Sequence, residues 1–109
     1  MTVMRPLKTM FRDGHERRSY ARAIIVAERL LADPGLVEEG RKYLDRFIKG
    51  DVHQQSIYVL WTKTLELPPA EIAERLLADD ASGENLRATA PVFTVIHADE
   101  VRDLIASSL

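Results

Sequence analysis

Apolar residues recur at three- and four-residue spacing through most of this chain, and that period predicts helices rather than strands. Tyr20, Ala23, Ile24, Ala27, Leu30 and Leu31 share one face of a helix placed from about Glu16 to Ala32. Arg18, Arg22 and Arg29 line its opposite side. Asp33-Pro34-Gly35 ends it, because proline cannot continue the hydrogen-bond ladder. The same tripeptide is placed to start a second helix, with Asp33 as its cap and Pro34 in its first turn. Leu36, Val37, Gly40, Tyr43, Leu44, Phe47 and Ile48 form its apolar stripe, and Gly50 is the expected left-handed stop. Asp51 can cap a third helix, about Val52 to Glu66, with Ile57, Leu60, Trp61, Thr64 and Leu65 on one face and His53 at its start. The single Trp61 is expected in the core.

A fourth helix follows Pro68-Pro69 and buries Ile72, Ala73, Leu76 and Leu77. The segment Leu67–Leu77 resembles the opening helix of a helix-turn-helix. That motif needs a turn of three or four residues and then a recognition helix that enters the major groove. Here Ala78 to Gly83 reads as a longer acidic loop, with Ser82 capping a short helical turn from Glu84 to Thr89 that Pro91 stops. Arg87 is the only cation in that turn, whereas DNA affinity rests on Lys and Arg contacts to phosphate. The resemblance is therefore expected to be structural. Val92–Ile96 is the one β-prone run, and a lone strand cannot satisfy its backbone. It is expected to be a packed extended connection, or to pair with Thr2–Met4 or another chain. A last helix, about Ala98 to Ser107, turns Val101, Leu104 and Ile105 inward. The expected fold is an all-α, compact single-domain bundle of four to five helices over residues 1–109, with a short extended segment near 92–96. Residues 1–14 are expected to form a flexible N-terminal arm.

The composition changes this picture little. A chain of 109 residues suits one domain, and 46% apolar residues are enough for one core. With no cysteine, disulfides, thiolate metal sites and a cysteine nucleophile are excluded. No leader-type apolar run and no stretch of ~20 apolar residues occurs, so a cytoplasmic protein of bacterial type without membrane contact is expected. Charge is more telling. The net −2 conceals two unlike ends. Residues 1–30 hold Arg5, Lys8, Arg12, Arg17, Arg18, Arg22 and Arg29 against Asp13, Glu16 and Glu28. Residues 66–109 hold only Arg75, Arg87 and Arg102 against a threefold larger set of Asp and Glu. Such ends can pair with each other, or one of them can steer a charged partner.

Candidate chemistry is sparse. His15, His53 and His97 lack ligand spacing, and the carboxylate pairs are adjacent residues that diverge on a helix. The 79–85 loop lacks the order of a calcium loop, and no glycine-rich phosphate loop exists. No catalytic, metal or cofactor residue is expected, and the chain is not expected to be an enzyme. What remains is the basic face: Arg12, Arg17, Arg18, Arg22 and Arg29. Ile25 projects among these arginines and Val26 falls off the main apolar face, as a second interface would require. Tyr58, flanking Trp61, is expected to be partly exposed. These residues describe a non-enzymatic helical protein–protein interaction module, a regulatory or neutralising partner of antitoxin type. The basic first helix and the acidic C-terminal third would supply complementarity. A homodimer through Ile25 and Val26, or through Val92–Ile96, follows the same logic. The alternative is nucleic-acid binding through the arginines.

Overall fold

Asp13 opens the first helix. Its carboxylate accepts the Glu16 backbone N–H at 2.9 Å, and α1 runs Gly14–Ala32. The computed structural model describes residues 8–109. Asp33 closes α1 instead of opening the next helix: its N–H donates to the Arg29 carbonyl and its carboxylate accepts the Gly35 N–H. The second helix, α2 (Leu36–Tyr43), therefore begins after Gly35 without a side-chain cap, a correction to the expected Asp33 cap. It then widens into a π turn, Leu44–Ile48, where the Lys49 N–H donates to the Leu44 carbonyl. The extra residue in that turn shifts the phase of the stripe. Leu44 and Ile48 stay buried while Phe47 is 55% exposed, lying against Tyr43 with the Arg46 guanidinium over its ring. Gly50 is no left-handed stop, since no described glycine has positive φ.

Asp51 takes over the role of punctuation. Its carboxylate accepts the His53 N–H and caps a 3₁₀ turn, Val52–Gln54, that leads into α3 (Gln55–Thr64). His53 is exposed in that turn and does not join the apolar face of α3. Pro69 then starts α4 (Pro69–Leu77). The expected long loop after it is absent. Asp80, rather than Ser82, is the cap: it accepts the Gly83 N–H at 2.7 Å and starts α5 (Ala81–Thr89). Only Ala78–Asp80 connects the two helices, a length that suits a helix-turn-helix. Because α5 is a full helix and α6 (Ala98–Ser108) follows, the described residues hold six α-helices where four to five were expected. Glu100 accepts the His97 N–H and closes a capping box at the start of α6.

The helix α1 is the spine. It packs most extensively on α4 and also meets α5 and α6. Tyr20, Ala23, Ile24 and Ala27 close on Ala73 and Leu77. A second cluster joins Leu30 to Leu44, Ile48, Trp61, Leu65, Ile72, Leu76, Leu86 and Phe93. Each large aliphatic side chain buried in this way contributes about 1.5–3 kcal/mol. Trp61 is fully buried, as its place on the apolar face of α3 predicts. Its indole N–H donates to the Thr89 hydroxyl and its ring meets Phe93 edge-on at 5.8 Å. Val26 is partly buried and packs against this second cluster, and Ile25 is half-buried. Leu31, expected inward, is 43% exposed.

Between α5 and α6 the chain from Ala90 to Ile96 is extended, bends at Thr94 and forms no strand. Pro91 and Phe93 are buried, Phe93 lying against Gly40, where an added Cβ would run into its ring. Val92 and Val95 stand 52% and 69% exposed.

Candidate functional site

The basic face divides into two sets. Arg12 and Arg29 are held by acidic partners. Arg12 pairs with Glu16 and comes within 3.8 Å of Glu84. Arg29 pairs with Glu100 and donates to the Val95 carbonyl at 2.8 Å. Lys8 joins the first of these networks, its ammonium 3.0 Å from Asp79 and 3.2 Å from Glu16. Both Lys8 and Glu16 are buried, where a charge needs its partner. The hydrogen bond to Asp79, helped by Glu16, outweighs burial and raises Lys8 above the ordinary lysine value. Burial alone would push the Glu16 carboxyl up. Hydrogen bonds from the Arg12 backbone and from the Lys8 and Arg12 side chains overcome it and leave the group below the ordinary value. Asp13 is lowered chiefly by the Glu16 N–H it accepts. Of the expected N-terminal arm, residues 1–7 lie outside the described residues. From Lys8 onward the chain is tied down, with the Lys8 N–H donating to the Tyr20 hydroxyl.

Arg17, Arg18 and Arg22 make no ion pair or side-chain hydrogen bond among the described residues, and Arg17 Nε is buried without a partner. They do not form one site. Arg17 and Arg18 line a recess between the start of α1 and α6, together with Arg102 and the apolar Val101 and Ile105. Arg22 stands instead at a groove of about 410 Å³ between α1 and the extended segment. Tyr58 lies away from both, in a small recess of about 120 Å³ beside Arg41, with its hydroxyl donating to Asp45 at 2.9 Å.

The groove by α1 is built from small and apolar side chains. Ser19, Ala23 and Val26 form one wall, Leu76 lines it from α4, and the residues from Ala90 to Ile96 form the other wall. Pro91 and Phe93 are buried there, so the segment is pinned from beneath while Val92 and Val95 face outward. No described acceptor meets the backbone N–H of any residue from Val92 to Ile96. Backbone groups in that state bond to water or to another chain. Arg87 completes the wall. Its Nη1 donates to the Leu76 and Ala78 carbonyls at 2.9 Å each, its guanidinium lies over the Tyr20 ring, and its Nη2 is buried without a partner.

Arg87 thus faces the interior as a cap on the carbonyl end of α4. The outward positions of α5, namely Ala81, Ser82, Asn85 and Ala88, carry no cation. The α4–α5 unit has the connection length of a helix-turn-helix without a basic recognition face. Among the described residues no helix is long and apolar enough to cross a membrane, and no three His, Asp or Glu side chains gather as metal ligands.

No match was found. Comparison with protein-family models, with curated proteins and with solved structures returned nothing similar to this chain. Of the groove residues, Arg87 is absent from the expected site, and Val92, Phe93 and Val95 entered only as part of a possible homodimer surface, Val92–Ile96. Part of the signal was present: a β-prone run after Pro91 with no strand to pair with has to find another use. Nothing in the spacing places Arg87 beside Arg22, because that meeting depends on how α5 packs on α1.

Proposed function

We propose that this chain is a protein-docking module that receives a segment of another protein in the groove between α1 and Ala90–Ile96. The observation that carries the reading is the wall itself. A buried Phe93 fixes the segment while Val92 and Val95 are exposed and the backbone N–H groups from Val92 to Ile96 have no described acceptor. An extended partner can bond to such a backbone and seat side chains beside it. Regulation or neutralisation of the partner, in the manner of an antitoxin, would follow from occupying its surface. A photo-crosslinking residue at Val95, tested in the cells that make the protein, should capture one discrete partner. The same residue at Val59, exposed on α3, should not. Equal capture at both positions would overturn the reading.

The nucleic-acid alternative keeps one supporting observation: Arg17, Arg18, Arg22 and Arg102 lie on neighbouring helices with no described ion pair. It loses Arg12 and Arg29 to Glu16, Glu84 and Glu100. Affinity for arbitrary duplex DNA that falls steeply with salt would support it. Absence of binding at low salt would remove it.

A further inference from the structure

The docking groove has a charge pattern that specifies its occupant. Two cations stand in its lining, Arg22 at the exposed rim and Arg87 in the wall, and no Asp or Glu does, although the C-terminal third of the chain is rich in both. The chain therefore spends its acidic residues elsewhere: Glu84 and Glu100 go to Arg12 and Arg29, and Asp79 goes to Lys8. Arg87 is the more enclosed of the two. Nη1 is committed to α4 carbonyls and one face of the guanidinium to Tyr20, which leaves Nη2 buried without an acceptor. With Nη1 shared by two carbonyls and Nη2 enclosed, Arg87 gives the wall positive charge rather than a free fork, and the exposed Arg22 is the cation that an incoming carboxylate can reach. The rest of the lining is small or apolar, and about 410 Å³ accommodates one or two side chains, not a duplex or a whole helix.

We propose that the groove takes a partner-protein segment carrying an Asp or Glu beside a large apolar residue, the apolar side chain seated between Val26 and Phe93 and the carboxylate held by Arg22 at the rim of a lining that has positive charge and no Asp or Glu. This rests on the docking reading above and adds the chemistry of the partner. The test is a random-peptide display selection on the full folded chain. Selected peptides are then titrated by the fluorescence of Trp61, the only tryptophan, which touches the groove through Phe93. Peptides with an acidic residue next to an apolar one should be enriched. Arg22→Glu should weaken them by about tenfold or more, as should Asp→Asn or Glu→Gln in the peptide. Arg22 is exposed and without a described partner, so this variant should fold normally. If neutral apolar peptides are enriched and bind Arg22→Glu equally well, the carboxylate proposal fails and the docking reading stands. If no peptide is enriched on the unaltered chain, both fail.

Discussion

Ala78–Asp80 leads into α5 and Ala90–Ile96 leads out of it, yet these two connections are finished in opposite ways. The first is sealed. Arg87 satisfies the Leu76 and Ala78 carbonyls, Asp80 caps α5, and Lys8 reaches across from the N-terminal side to Asp79. Gly83 lies so close to the Ala78 carbonyl that an added Cβ would overlap it. The second is pinned by the buried Pro91 and Phe93 and by the Arg29 bond to the Val95 carbonyl, while the backbone N–H groups of Val92 to Ile96 meet no described acceptor. A sealed turn contributes to stability, whereas an open segment keeps its bonding capacity for something else. The contrast separates residues whose loss should unfold the chain from residues whose loss should only disarm it.

The largest effect is expected where the open segment is anchored in the core. Phe93→Ala should cost about 3–5 kcal/mol in chemical denaturation, since it empties the space against Trp61 and Gly40. A loss below about 1 kcal/mol would mean that the ring does not hold the segment. Gly83→Ala should cost about 1–3 kcal/mol through the clash with Ala78. Gly50→Ala, which meets nothing within 4 Å, should be neutral or stabilise by up to about 1 kcal/mol. Equal responses at the two glycines would dissolve the idea of a sealed turn.

Acid should loosen the sealed side. Glu16 and Asp13 have folded values below their ordinary ones, so their contribution is complete above roughly pH 4.3 and is lost as pH falls through the lowered values. Lys8 works in the opposite direction: its contribution is complete below about pH 10.4 and is lost as pH rises through the raised value. Denaturation midpoints measured against pH should fall off less steeply on the acid side in Glu16→Gln. An unchanged acid slope would show that the Lys8–Glu16–Arg12 network does not couple to folding. The smallest effect belongs to the open side. Val95→Ser should change stability by less than about 0.5 kcal/mol while reducing partner capture, and a large loss of stability would show that the segment is structural throughout.

Much of this architecture was legible in the residues. Spacing placed α1, α4 and α6 within a few residues of their ends and put Trp61 inside, because an amphipathic stripe long enough to repeat leaves little choice of face. Local capping was harder to read. Asp33, Asp51 and Asp80 each sit where a helix could start, but Asp33 bonds to its own turn while Asp51 and Asp80 cap. The π turn at Leu44–Ile48 was beyond the pattern, since one extra residue leaves the composition unchanged and turns Phe47 outward. For the site, the sequence marked Arg22 among five arginines without separating it from Arg12 and Arg29. Arg12 pairs with Glu16 four positions on, which spacing does carry, but its approach to Glu84 and the pairing of Arg29 with Glu100 join residues about seventy positions apart, and no local spacing carries that information.

The hydroxyl of Tyr20 accepts the Lys8 N–H and donates to the Leu77 carbonyl at 2.7 Å, linking three distant parts of the chain through one oxygen. The order of assembly follows from that link. Lys8 meets Glu16 and Tyr20 on α1 and Asp79 just past α4, so its full set of partners exists only once α1 lies on α4, and this end should be the last part to dock during folding and the first to detach. In amide hydrogen exchange the Lys8 N–H should behave as part of a small unit that opens by itself, exchanging faster than the amides of α1 and α4 beneath it.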